Sequence, residues 1–374
     1  MQEALRLAAR GRGRVEPNPL VGAVLVKSGK IVGRGWHKRF GKAHAEVNAI
    51  AEAGARAKGA TLYVTLEPCA HQGKTPPCAE AVLSAGIRRV VAAMEDPHPL
   101  VSGKGIRALR RAGLKVDVGC MEDEAKRLNL PFLTLLALGR PYVTAKWAMS
   151  LDGKIATASG DSKWITSAPA RDAARRMRGL ADAVMVGAGT ALADNPLLMP
   201  LKPRRMPLRI VADSRGRTPV TSALARTAKQ GPVMIAVTEA ARAVSVKALQ
   251  AAGCEVWTGP AKDDRLDLSA LLQELGRRKM TNLFVEGGGT LLGSLFEAGL
   301  VDRVAAFVAP QILGGDKALT PVEGAGAPTV ERATRFTWSR GRRVGGDWLL
   351  MGEVVRERPR RPVPLPLTLL SPKR

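Results

Sequence analysis

Apolar and polar positions alternate along this chain in short helical and short extended runs. Residues 1–9 put Ala4, Leu5, Ala8 and Ala9 on one face, which predicts an amphipathic helix. Pro17-Asn18-Pro19 stops it. The apolar run 20–26, the turn 27–30 and the run 31–36 read as a β-hairpin. HAEVNAIAEA at 44–53 has helical composition, with His44 and Glu46 expected in its first turn, where the helix dipole favours a carboxylate. TLYVTLE at 61–67 reads as a strand. A helix opens at Cys78 and ends by Gly86. A strand at 88–94, a helix at 105–112, a strand at 114–118 and a helical stretch at 123–138 follow. This alternation predicts an α/β layered unit.

A second series begins after Gly139-Arg140-Pro141. Strands are expected at 142–148, 183–186, 208–213, 233–237, 283–286 and 304–308, with helices at 171–180 and 268–278 and another running to 298. Glycine-rich turns follow two of these strands, at 187–189 and 287–289. Such turns present backbone N–H groups to phosphate, but neither has the G-x-G-x-x-G spacing, and either could be only a tight turn. The expected domains are 1–140 and 141–355. Residues 356–374, proline-rich and basic, read as a disordered tail.

Composition changes this picture little. At 374 residues two domains are the natural expectation, and 45% hydrophobic residues suffice for their cores. No run of eighteen apolar residues suggests a membrane span, and the basic N-terminus lacks the apolar core of a signal peptide. Four cysteines without a secretory signal point to reduced thiols in a cytoplasm. Cys120 and Cys254 read as small buried hydrophobes. The net charge of +25 is spread out, with 23 basic and 12 acidic residues in 1–140, 29 and 20 in 141–355, and 6 and 1 in 356–374. It favours anionic ligands in general. Aromatic residues at 4% argue against a single-strand stacking platform.

The chemistry concentrates between His44 and Cys78. His44-Ala45-Glu46, Pro68-Cys69 and Pro76-Pro77-Cys78 supply one imidazole and two thiolates, three soft ligands that leave a fourth tetrahedral position open. Glu46 is not needed as a ligand. This is the layout of the zinc deaminases, with the carboxylate as proton shuttle. The second thiol lies nine positions after the first, where the common signature has three. Unpaired core cysteines and a surface histidine are the simpler alternative, but three of only eight Cys and His residues fall around one H-x-E and two Pro-Cys pairs.

PNPLVGAVLV, GRGWHKRFGKAHAEVNA and TLYVTLEPCAHQGKTPPC resemble the deaminase half of the bifunctional deaminase/reductases of riboflavin biosynthesis. AMSLDGKIA, SKWITS, VGAGTALADNP, ADS and VEGGGTLLGSL resemble the reductase half. The resemblance implies a cytidine-deaminase-like α/β/α layered domain followed by a dihydrofolate-reductase-like α/β domain. It implies Zn2+ on His44, Cys69 and Cys78, Glu46 as the catalytic acid/base, and a pocket lined by Asn18, His37, His71 and Lys74. It implies hydrolytic deamination of 2,5-diamino-6-(5-phosphoribosylamino)pyrimidin-4-one, then NADPH reduction of the ribosyl side chain to 5-amino-6-(5-phosphoribitylamino)uracil.

In the second half the resemblance puts Ala148, Trp164, Thr190, Asp194, Ser214 and the stretch Gly288, Gly289, Thr290, Leu291, Leu292, Gly293, Ser294 near NADPH. It puts Lys146, Ser162, Arg178, Leu198 and Glu286 near the substrate. Lys146 and Asp194 are candidates for polarising or protonating the sugar, with a structural ion pair between them as the alternative. One departure stands out. The family continues D-N/D-P-x-L-T-x-R, and here Met199 and Leu201 replace the Thr and the Arg expected to hold phosphate. Lys202, Arg204 and Arg205 follow and could substitute.

The expected partners are therefore phosphorylated pyrimidines, with neither nucleic acid nor membrane, and a homo-oligomer stays open. An RNA or nucleoside zinc deaminase with an accessory nucleotide-binding domain is the competing reading, disfavoured by the second half and by the thiol spacing. A non-catalytic zinc module is disfavoured because structure alone has no use for Glu46.

Overall fold

A computed structural model describes residues 1–70, 76–99 and 101–355. They form two compact units, one over Met1–Leu138 and one from Gly139 onward. No helix among the described residues is long and apolar enough to cross a membrane. The expected tail at 356–374 lies outside the described residues.

The first unit runs α1 (Gln2–Ala8), β1 (Gly22–Lys27), β2 (Lys30–Trp36), α2 (Ala45–Ala53), β3 (Thr61–Val64), α3 (Cys78–Ser84), β4 (Arg89–Ala92), α4 (Lys104–Arg111), β5 (Lys115–Val118), α5 (Glu122–Leu128) and α6 (Leu130–Leu138). Its sheet has the order β2-β1-β3-β4-β5. β1 is antiparallel to both neighbours, and β3, β4 and β5 run parallel. Ser28 and Gly29 turn the hairpin at φ 49° and 72°, a left-handed pair whose twist matches that of the strands.

Helix α2 lies directly on β2. A Cβ at Gly33 would stand 2.3 Å from the Ala49 carbonyl oxygen, and one at Gly35 would stand 2.1 Å from that of Ala45. Alternate glycines on the strand thus face Ala45, Ala49 and Ala53, all buried on the helix. Backbone meets backbone there, and the close fit fixes where His44 and Glu46 emerge.

Two expectations change. Helix α1 buries Ala4, Leu7 and Ala8, because Ala9 turns off into a 3-10 turn and is exposed. The helix expected over 123–138 is broken at Asn129. That buried side chain accepts from the Leu20 N–H at 2.7 Å and donates to the Leu20 carbonyl at 3.0 Å. The break ties the helical segment to the turn that carries Asn18.

The second unit runs β6 (Tyr142–Ser150), α7 (Ala168–Arg178), β7 (Ala183–Gly187), α8 (Ala188–Asp194), β8 (Leu208–Ala212), α9 (Ala223–Arg226), β9 (Val233–Val237), α10 (Ala243–Ala251) and β10 (Glu255–Thr258). A short hairpin, β11 (Ala261–Lys262) and β12 (Arg265–Leu266), precedes α11 (Leu268–Arg277), β13 (Asn282–Glu286), α12 (Gly289–Glu297), β14 (Arg303–Ala309), β15 (Phe336–Val344) and β16 (Asp347–Val354). The sheet order is β10-β9-β8-β7-β13-β6-β14-β16-β15. It is parallel from β10 to β14 and antiparallel beyond.

Alternate residues feed the two faces of this sheet. Met185, Ile210 and Val285 join one core, while Val184, Val186, Val211 and Phe284 join the other. Such two-sided burial is normal for parallel strands covered by helices. The last clear strand was expected at 304–308, but β15 and β16 follow it. β15 reads TWSRGRR through its middle and is exposed there, so only its pairing with β16 makes it a strand.

Candidate active sites

In the first unit the three soft donors converge. His44 is the N-cap of α2, in extended conformation just before the first turn in which it was expected. Cys78 is the first residue of α3, and Cys69 sits on the loop after β3. The donor atoms of the three lie within 4.8 Å of one another. His44 Nδ1 is 3.1 Å from Cys78 Sγ and 3.7 Å from Cys69 Sγ, and the Cys78 N–H donates to Cys69 Sγ at 3.4 Å. The start of α3 thus directs a backbone N–H at the Cys69 sulfur, which favours a thiolate.

This set fits zinc on its own geometry. The contact with Cys78 holds the Cys69 thiol down at about 4, and the same contact pushes Cys78 up. A cation held between the two sulfurs and the imidazole would favour both thiolates. Glu46 is buried on the first turn of α2, and its Oε2 has no hydrogen-bond partner. Burial pushes its carboxyl up to about 7, near the value that serves proton transfer in both directions at neutral pH.

Around these groups lies a cavity of about 300 Å³. Asn18 and His37 line it, as expected. His37 is buried, and burial lowers its pKa, so the ring is neutral. Its Nδ1 lies 3.2 Å from the Ala43 carbonyl and therefore carries the proton, which leaves Nε2 to accept from Asn18 Nδ2 at 3.3 Å. The ring meets His44 edge-on, with centroids 5.3 Å apart. His71 and Lys74 lie outside the described residues.

Several lining residues escaped the sequence reading. Lys42, Asp96, His98 and Phe132 also line the cavity. Burial raises the Asp96 carboxyl to about 6, opposed by the His98 N–H that it accepts. Glu67, buried beside the Pro68-Cys69 turn, accepts four backbone N–H groups. These are Asp96 and Gly103 on Oε2, and Gly105 and Ile106 on Oε1, at 2.8–3.2 Å. It clamps the start of α4 to the turn that presents Cys69. Gly105 must lack a side chain, since a Cβ would stand 1.8 Å from the Pro68 carbonyl oxygen. The only sequence signal was Glu67's place immediately before Pro-Cys.

In the second unit the expected substrate residues gather at facing strands. Lys146 on β6 pairs in register with Glu286 on β13. The Glu286 carboxylate takes a two-pronged grip from Arg178, through Nε and through Nη2, the latter at 3.0 Å, and lies 3.6 Å from Lys146 Nζ. Burial would raise the Glu286 carboxyl, but Arg178 and Lys146 override it and hold the group below its ordinary value. Burial lowers the Lys146 ammonium, partly offset by Glu286. The alternative ion pair of Lys146 with Asp194 does not form. Asp194 is exposed and lies 4.0 Å from Lys163 Nζ.

Residues expected at the cofactor converge at the carboxyl ends of the parallel strands, where ligands bind in open α/β sheets. A Cβ at Gly288 would stand 3.0 Å from Thr190 Oγ1, so the two glycine-rich turns meet. Gly287 and Gly288 both take positive φ, and α12 begins at Gly289. Thr290 stays exposed and Ser294 is half-buried. Leu291 and Leu292 pack into the core, and Gly289 and Gly293 are buried against the segment 320–323. Ser214 follows β8, and its Oγ accepts the Leu266 N–H at 2.9 Å. Trp164 is exposed, with the Arg171 guanidinium 4.3 Å from its ring. Ala148 on β6 and Ser162 are half-buried. Leu198 is buried, and its neighbour Met199 gives its carbonyl to Arg178 at 3.2 Å. Of the basic residues offered as substitutes at the altered loop, Arg205 is bound to Asp182, just before β7 and so at the opposite end of the strands. It is no phosphate ligand.

An open His/Cys/Cys donor set beside a buried carboxylate with one free oxygen defines a hydrolytic zinc deaminase, joined here to an α/β unit with a glycine-turn site of its own. Residues 1–94 match the family described as the cytidine and deoxycytidylate deaminase zinc-binding region, and residues 141–350 match the RibD C-terminal domain. The riboflavin biosynthesis protein RibD of Actinobacillus pleuropneumoniae is 42% identical over 351 residues, covering 94% of this chain and 93% of that protein. The Escherichia coli K12 protein of the same name is 41% identical over 362 residues, covering 93% and 96%. The solved structure of Acinetobacter baumannii RibD superposes with a TM-score of 0.83 at 37% identity, covering 95% of this chain and 98% of that one. A Thermotoga maritima structure described as a diaminohydroxyphosphoribosylaminopyrimidine deaminase/5-amino-6-(5-phosphoribosylamino)uracil reductase gives 0.81 at 34%, covering 95% and 97%. The chain belongs to this RibD family, the bifunctional deaminase/reductases of riboflavin biosynthesis. Its cofactors are zinc and NADPH.

Proposed function

We propose that His44, Cys69 and Cys78 hold the zinc and that Glu46 moves the protons of deamination. When bound, zinc supplies a water acidified to near neutrality and NADPH supplies a hydride. Glu46 takes one proton of the attacking water and passes it to the ring nitrogen, then takes the second from the hydroxyl left on the ring carbon and gives it to the amine, which departs as ammonia as the carbonyl forms. Asn18, oriented by His37, keeps its Oδ1 as an acceptor for an amino group of the ring. The substrate is 2,5-diamino-6-(5-phosphoribosylamino)pyrimidin-4-one. A cavity of about 300 Å³ suits a single free ring.

In the second unit Lys146 and Arg178 present positive charge to the ribosyl oxygens, and Glu286 fixes both of them. Lys146, buried enough to release a proton, protonates the sugar as its C1 accepts hydride. The NADPH lies along Thr190, Gly288 and Ser214 with its nicotinamide towards Trp164 and Ala148, and the product is 5-amino-6-(5-phosphoribitylamino)uracil. Small phosphorylated substrates and unpaired cysteines suit a reducing cytoplasm.

The observation that carries this reading is the buried Glu46 carboxylate, its Oε2 without a hydrogen-bond partner, beside the donor set. The test is ammonia release from the phosphoribosylated pyrimidine, with and without NADPH. We expect one ammonia per substrate in both cases, and NADPH oxidation only after deamination. Ammonia release without any subsequent NADPH oxidation would refute the second half of the reading.

A further inference from the structure

Among the described residues Arg209 is the largest side chain that is fully buried. It lies on β8, and no carboxylate among the described residues pairs with it. Its guanidinium is held by oxygens alone. Nη1 donates to the Leu197 carbonyl at 3.1 Å and to Thr227 Oγ1 at 2.7 Å, and Nη2 donates to the carbonyls of Thr227 and Gly231 at 2.9 and 2.6 Å. Nε is buried with no partner. Burying a charge without a counter-charge is costly, and burial drags its pKa below the ordinary guanidinium value. An apolar residue would fill the volume at less cost, so the charge must serve through what it grips.

Of those partners, Leu197 belongs to the loop between α8 and β8. Leu198 follows it, buried and at φ 52°, a left-handed conformation that a leucine adopts only when its surroundings impose it. On the far side of Leu198, the Met199 carbonyl is taken by Arg178 Nη1 at 3.2 Å. The two carbonyls that flank the strained residue are thus each held by a guanidinium, one from β8 and one from α7. Asn195, also at positive φ, anchors the start of the loop by accepting the Ala223 N–H at 2.7 Å. At 199 and 201 this loop offers a ligand neither a hydroxyl nor a guanidinium of its own. Its contribution is its backbone course and the placement of Leu198.

We propose that Arg209 is a positioning residue of the reductase. It acts through the Leu197 carbonyl to hold Leu198 in its left-handed conformation against the pyrimidine substrate, as the fully buried arm of a clamp whose half-buried arm is Arg178. This rests on the reading of Leu198 as a substrate contact. The clamp sets the fit of the pyrimidine and leaves the NADPH contacts on α8 and α12 alone.

The test is steady-state reduction by the full chain carrying Arg209→Met or Arg209→Lys, with ammonia release by the same chain as the control for intact protein. We expect the KM for the pyrimidine to rise about tenfold or more in Arg209→Met, in keeping with a displaced contact. The KM for NADPH should stay within about twofold, and Arg209→Lys, which still reaches one carbonyl, should fall between. A role in stability alone predicts a lower melting temperature, or a smaller active fraction, with both KM values unchanged, and that result overturns the proposal. If Arg209→Met fails to fold in the reductase unit, Thr227→Val, which removes only one acceptor, gives the same split at smaller size or refutes it. Leu198→Ala separates the two layers. An unchanged pyrimidine KM there would sink the reading of the loop. A raised KM there with an unchanged one in the Arg209 variants would sink the clamp alone.

Discussion

The two units solve one problem, that of holding a reactive group away from water, in opposite ways. The deaminase unit gathers three soft donors at two helix starts and a loop, all within 35 residues of sequence, and leaves one carboxylate oxygen free among them. Its reactivity would come from a cation held by those donors. The reductase unit brings Lys146, Arg178 and Glu286 together from three elements distant in sequence, with two cations held on one carboxylate. Its charges are largely compensated within the protein and leave one positive charge over, so its chemistry must come from a cofactor laid beside them. One site is therefore fragile to loss of metal, the other to loss of a single partner charge.

That contrast can be broken by experiment. The largest effect is expected from Cys69→Ser or exhaustive chelation. Ammonia release should fall to background while NADPH oxidation with pre-deaminated substrate persists, as read by paired spectrophotometric assays. Loss of both activities together would mean that the sites are not separable.

Next comes Glu286→Gln, which strands Arg178 and Lys146 as two half-buried positive charges. Breaking such a group costs on the order of 3–5 kcal/mol, visible as an earlier unfolding step of the reductase unit by calorimetry. The sign with pH follows from the depressed Glu286 carboxyl. Its contribution is present above the unfolded-state value and is lost as pH falls through the folded one. The wild-type advantage over Glu286→Gln should therefore vanish on the acid side. A constant difference down to strongly acidic pH would contradict the pairing.

Glu67→Ala should come third. It orphans four amide donors, with a cost of roughly 3 kcal/mol in the deaminase unit. It should weaken zinc binding about tenfold, as loss of a group supporting a metal ligand does, measured by competition with a chromophoric chelator. Unchanged zinc affinity would reduce Glu67 to a helix clamp.

Asp96→Asn is the smallest and has the opposite sense. Because burial raises this carboxyl to about 6, the folded state holds the extra proton. Wild-type stability therefore falls as pH rises from about 4 to about 6 and stays lower above. The amide should stabilise the unit above pH 6 by about 2 kcal/mol. Each tenfold change in a proton affinity is worth roughly 1.4 kcal/mol, and solvent near the pocket reduces the total. No gain at pH 7 would show that Asp96 ionises without penalty.

The same contrast explains what could be read from the chain. The candidate zinc donors announce themselves because a metal demands rare residue types on loop ends, and His44, Cys69 and Cys78 carry their Pro and Glu neighbours with them. Most strands of both units were legible from apolar runs, since buried parallel strands are nearly continuous hydrophobic stretches. What stayed hidden depends on distance in the fold. Glu67 looks like any acid before a proline until four amides close on it. Arg209 sits in a strand pattern, LRIVA, that gives no hint of a buried guanidinium. β15 is polar along its middle and exists through its partner. The helix break at Asn129 comes from a bond to Leu20, 109 positions away.

The most direct measurement is the pair of activities of Glu46→Gln, with zinc content determined on the same sample. We expect one zinc per chain, ammonia release at background, and wild-type NADPH oxidation when the deaminated pyrimidine is supplied. Wild-type ammonia release from a chain that still holds its zinc would contradict the role given to Glu46.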